Sequence, residues 1–130
     1  MTKERVATVT AAIGAGLLFA TAGFHLSAYS SVVAQTPTDV RPLMSALWVA
    51  GGASLIIAAL LAVAVTPLFI VRRRALLAIA ALTPVSIAAV QIGYLGFLPP
   101  TALLLLDAVV LVVAGELGRA LQPRPVGGVT

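Results

Sequence analysis

The sequence predicts an all-α membrane protein: a four-helix transmembrane bundle, up-down-up-down, with its N and C termini cytoplasmic. Three observations lead there. Of 130 residues, 61% are hydrophobic and only 9% charged, whereas a soluble domain carries about a quarter charged residues and a chain this short has too little interior to hide so much apolar surface. The few charges divide the chain into four apolar runs, each near the roughly 20 residues that a helix needs to cross hydrocarbon. Nearly all the basic residues then fall on one side of the resulting arrangement.

The first span is expected over residues 6–28, after Lys3, Glu4 and Arg5 and before a polar stretch. The second is expected over 43–70, between Arg41 and the Arg72-Arg73-Arg74 triplet, with Pro67 ending or bending it. The third covers 75–97 and is closed by Leu98-Pro99-Pro100; Pro84 lies near its middle and predicts a kink, because proline has no amide to give to the carbonyl of Ala80. Thr83 and Ser86 are placed to satisfy that freed group. The fourth covers 101–121 and cannot pass Pro123 and Pro125. Residues 122–130 read as a short disordered cytoplasmic tail, and residues 1–121 as one domain. Strands of a barrel would show alternating apolar residues, which these continuous runs lack.

Orientation follows from the short loops. Lys3, Arg5, Arg72, Arg73, Arg74, Arg119 and Arg124 fall on one side and only Arg41 on the other, seven of the eight basic residues against one. The side with seven is expected to be cytoplasmic. The stretch from Tyr29 to Pro42 and the Pro99-Pro100 turn then face outward. A cleaved secretory signal over residues 1–34, ending at Val32-Val33-Ala34, would need an apolar stretch of only about 7–15 residues; this one is longer.

Small residues let membrane helices approach. Ala12, Gly16, Ala20 and Gly23 form such a stripe on the first span, Gly51, Gly52 and Ala53 a patch on the second, and Gly115 and Gly118 another on the fourth.

Depth singles out the polar residues. At about 1.5 Å per residue, His25, Trp48, Gln91, Tyr94 and Asp107 all fall within roughly 10 Å of the outer boundary, at least one per helix. Asp107 has only Leu103, Leu104, Val110 and Leu111 one turn away, so a carboxyl there has to find its partner on another helix. Ionisable groups inside a membrane cost about 2.5–3.5 kcal/mol each on insertion scales and turn inward. Asp107 and His25 are therefore the candidates for acid–base chemistry, and Trp48, Gln91, Tyr94 and Arg41 for ligand binding. The plainer readings are an aromatic belt for Trp48 and Tyr94, interhelical glue for Gln91, and an ion pair at the inner headgroups for Glu116 with Arg119 three residues on.

No cofactor is expected. The chain has no cysteine and one histidine, too few ligands for a metal centre or an intrachain bis-histidine haem, and Gly14–Gly16 lacks the lysine of a phosphate loop. The +4 net charge gathers at helix ends, which points to anionic lipid headgroups and not to nucleic acid. The expected setting is the inner (plasma) membrane, multi-pass. The expected role is a binding or accessory protein whose outer polar cluster holds a lipophilic ligand or a partner subunit, as a homo-oligomer or within a larger membrane complex. An enzyme using Asp107 and His25 on a lipophilic substrate, or a small proton-coupled transporter, are the alternatives.

Overall fold

The computed structural model describes residues 3–65, 70–97 and 99–119. Among them the chain is all helix: α1 Lys3–Ser27, α2 Tyr29–Gln35, α3 Arg41–Ala64, α4 Ile70–Leu95 and α5 Pro99–Arg119. Four segments, Glu4–Gln35, Arg41–Ala64, Arg72–Gly93 and Pro99–Gly118, are long and apolar enough to cross a membrane. The expected tail at 122–130 and the expected break at Pro67 lie outside the described residues.

Two boundaries differ from the sequence reading. The polar stretch after the first span is not all loop: α2 continues the rod for seven residues, because the backbone ladder passes through Ala28, whose amide bonds Phe24 O at 3.3 Å and whose carbonyl receives Val32 N at 3.0 Å. Serines 27 and 31 return their hydroxyls to carbonyls three residues back, at 2.8 and 2.9 Å, which lets polar residues sit in a helix without exposing bare backbone. The arginine triplet, expected between spans, lies within the first turns of α4.

Helix ends follow local chemistry. Pro42 lies in the first turn of α3, where a missing amide costs nothing. Gly96 stops α4 with a left-handed φ of 76° and bonds its amide to Ile92 O at 3.2 Å, a C-terminal cap that a side chain would strain. Pro84 is fully buried inside α4. Ser86 donates to Leu82 O at 2.8 Å, one turn back along its own ladder.

The long helices form a ring in the order α1, α3, α4, α5, each packed on its two neighbours. Its interior is mostly alanine: Ala11, Ala15 and Ala22 from α1, Ala58, Ala59 and Ala62 from α3, Ala80, Ala81 and Ala88 from α4, Ala108 and Ala114 from α5, with Leu18, Leu55, Leu77, Leu104 and Leu111 between them. Bulk lies outside, as at Ile57 (65% exposed) and Leu82 (61%). Water would reverse this arrangement; hydrocarbon does not penalise it.

The small-residue expectation holds for α3 and α5 and is corrected for α1. Gly52 lies against Leu26, Gly51 against the His25 ring, and Gly115 against Arg74. On α1, however, Ala12, Gly16, Ala20 and Gly23 are exposed, and nothing stands within 4 Å of where a Cβ on Gly16 or Gly23 would be. The packed face is offset by one residue, Ala7, Ala11, Gly14, Ala15, Leu18, Thr21 and Ala22, so that it includes the threonine.

A test separates the two kinds of glycine. A Cβ at Gly52 would stand 2.5 Å from Leu26 Cδ2, and one at Gly14 2.9 Å from Leu111 Cδ2. Gly52→Val and Gly14→Val are each expected to lose about 1–3 kcal/mol of stability through overpacking. Gly16→Ala and Gly23→Ala are expected to stay within about 0.5 kcal/mol of the parent or to gain slightly. Unfolding by dodecyl sulfate titration in mixed micelles reads all four.

Candidate functional site

Three helix interfaces each carry polar partners. Between α1 and α3, His25 and Trp48 form a reciprocal clasp. Their rings stack at 4.2 Å between centroids and 8° between planes. The Trp48 indole N–H donates to His25 O at 2.6 Å, and His25 Nε2 lies 2.9 Å from Trp48 O. A carbonyl only accepts, so Nε2 carries the proton, and in the neutral ring Nδ1 keeps the lone pair. The clasp lies close against Gly51: a Cβ there would stand 3.2 Å from His25 Nε2, tighter than an ordinary contact. One turn further out the Tyr29 hydroxyl meets that of Ser45.

Between α1 and α5, Asp107 is buried, 1% exposed. The Thr21 side chain hydrogen-bonds its carboxyl. Asp107 Oδ2 has no partner.

Between α4 and α5, the hydroxyl of Thr101 donates to Gln91 Oε1 at 3.0 Å. Both residues are buried, Thr101 completely and Gln91 to 9% exposure. Gln91 shares the inward face of α4 with Pro84 and Ala88, seven and three residues earlier.

The expected members thus meet in pairs and not in one cluster. Asp107 and Gln91 turn inward, as their depth implied. The pairing of Asp107 with His25 is not made: the His25 ring bonds Trp48 on α3, while Asp107 bonds Thr21 on the α5 side of α1. Thr21 and His25 stand on adjacent turns of one helix, yet their partners lie on different neighbours, Asp107 on α5 and Trp48 on α3. Arg41 is engaged elsewhere. Its Nε and Nη2 donate to Thr36 O at 3.3 and 3.1 Å, and Thr36 in turn donates to Val32 O at 2.7 Å, so Arg41 ties the end of α2 to the start of α3. The side chain of Tyr94 lies outside the described residues.

Two parts of this arrangement escape sequence reading. Thr101 reads as a span boundary, yet it is the buried partner of Gln91; its place in the buried series 101, 104, 108 and 111 is the signal. Arg73 is 3% exposed between the exposed Arg72 and Arg74, and the inward positions Leu77, Ala80, Ala81 and Pro84 that follow it mark the same face.

At the opposite end of the α4–α5 interface, Arg74 Nη2 and Nε reach Glu116 Oε1 at 2.7 and 2.8 Å. Both side chains are about half exposed, 49% and 47%, so in water the pair would contribute only about 0–1 kcal/mol. Among the described residues no three histidine, cysteine or acidic side chains are grouped as metal ligands. Comparison with known proteins finds no match: no family model, no curated protein and no solved structure resembles the chain.

The clasp can be measured through a double-mutant cycle. His25→Ala with Trp48→Phe is expected to show a coupling of about 0.5–1.5 kcal/mol in micelle unfolding, the range of stacked aromatic pairs. Trp48 is the only tryptophan, so His25→Ala is also expected to change the protein's entire indole emission. A coupling of zero with unchanged emission would remove the clasp.

Proposed function

We propose that this chain is a multi-pass inner-membrane protein of the binding or accessory type, up-down-up-down with both ends cytoplasmic, whose outer polar layer joins the helices and receives a lipophilic ligand or a partner subunit. The observation that carries the reading is the matching of polar groups across the ring: His25 with Trp48, Thr101 with Gln91 and Thr21 with Asp107. Groups so matched bind helices together without requiring a reaction. The commitment of the His25 ring to Trp48 separates it from Asp107, and acid–base chemistry by that pair would require the clasp to open.

The contact register supports the alternating topology. Tyr29, at the start of α2, meets Ser45, and His25 meets Trp48 and Leu26 meets Gly52 across α1 and α3. Gly14 meets Leu111 where Thr21 meets Asp107 across α1 and α5. Gln91 meets Thr101 at one end of α4–α5 and Arg74 meets Glu116 at the other. With seven basic residues on one side, the end bearing Arg74 and Glu116 is the cytoplasmic one.

The absence of cysteine makes the topology directly testable. In intact cells a membrane-impermeant maleimide is expected to label Thr38→Cys, and to label Thr2→Cys and Thr130→Cys only after the membrane is opened. Labelling of Thr2→Cys from outside would overturn the orientation. For the ligand, native mass spectrometry of the protein released from mild detergent is expected to show an apolar adduct that Trp48→Ala weakens. If the parent carries neither an adduct nor a second polypeptide, the binding role is wrong.

A further inference from the structure

Four acidic residues are present in the chain: Glu4, Asp39, Asp107 and Glu116. Three are exposed, and Glu116 also has Arg74 beside it. Asp107 alone is buried, 1% exposed. Arg74 pairs with Glu116 and not with Asp107.

The surroundings of Asp107 supply one hydrogen bond, from Thr21. Its own helix offers Leu103, Leu104, Val110 and Leu111 one turn away, and α1 offers Leu18 and Ala22 one turn either side of Thr21. His25 Nε2 is engaged with Trp48 O and the Thr101 hydroxyl with Gln91 Oε1. One carboxyl oxygen, Oδ2, is left sealed from solvent without a partner. A bare carboxylate in hydrocarbon is among the costliest groups that a protein can hold, and neutralisation is the way out. No side chain delivers that charge, so it has to come from outside the chain.

We propose that Asp107, with Thr21, is a binding site for one monovalent cation, either a proton or an alkali ion, held within the bilayer at the α1–α5 interface. The shared requirement is a single positive charge on the carboxyl; the two occupants differ in where it rests, covalently on Oδ2 or coordinated between Oδ2 and the Thr21 oxygen. The proposal depends on the membrane placement of the bundle but on no lipophilic ligand, and maleimide labelling reads that placement separately.

The chain's composition gives an assay that leaves Asp107 unaltered. Asp39 and Asp107 are the only aspartates, and Asp39 is exposed. Full-length protein carrying Asp39→Asn and labelled with carboxyl-13C aspartate therefore reports Asp107 alone by solid-state NMR in liposomes. In choline buffer at neutral pH, a carboxyl shift of the protonated form that is unmoved by added sodium or potassium establishes the proton as occupant. An ionised carboxyl whose shift moves when sodium or potassium replaces choline establishes an alkali ion. Either result is expected to change in Thr21→Val. An ionised carboxyl whose shift is the same in choline, sodium and potassium overturns the proposal, as does a signal that titrates with the buffer like a surface aspartate.

Discussion

A polar group inside hydrocarbon has no water to fall back on, so a donor or acceptor at that depth has to be satisfied by the protein or by something that the protein binds. Four helices satisfy their own backbones; their side chains have to be satisfied by a neighbour. The ring order α1, α3, α4, α5 meets most of this demand at three of its interfaces and leaves Asp107 Oδ2 without a partner. His25 and Trp48 exchange bonds with each other's main chain, Thr101 gives its hydroxyl to Gln91, and Thr21 gives its own to Asp107. Such bonds are worth only about 0.6 kcal/mol each on average in membranes. Their larger effect is on specificity, since a rotated helix would leave two groups stranded.

Helices approach closely enough for these bonds because their facing surfaces are lined with alanine and glycine. The approach of Gly51 to the His25 ring shows the dependence most directly, because the clasp occupies the space where a side chain would be. Backbone proximity and side-chain pairing are therefore one constraint. The alanine interior brings α1 and α3 together, and the clasp fixes which turns of each are opposed.

Much of this was readable from residue types alone. The four apolar runs, the inward turn of Asp107 and Gln91, and the glycine patch on α3 follow from transfer energies and side-chain volume. The face of α1 was not readable, because Ala11, Ala15 and Ala22 differ in no intrinsic way from Ala12 and Ala20; the face that packs also carries Leu18 and Thr21, whose hydroxyl bonds Asp107. Nor was the partner of each polar residue, since equal depth puts His25 and Asp107 on one level without stating which helices are neighbours across it. The extension of α1 into α2 was hidden by serines, which signal a turn until their hydroxyls are seen returning to the helix's own carbonyls. Arg73 was hidden by its neighbours, because a run of three arginines reads as headgroup-facing although one of them follows the inward face of α4.

The alanine-lined interior also reverses the usual tolerance of a fold to change. In a water-soluble bundle the outer faces drift freely and the large core side chains are held fast. Here the bulky positions, such as Ile57 and Leu82, face outward, where leucine, isoleucine, valine and phenylalanine are interchangeable to lipid. Positions such as Ala11, Ala59 and Ala80 admit almost nothing larger, because each added methyl would push a whole helix off its neighbour. Inheritance of this architecture would be written in its smallest residues.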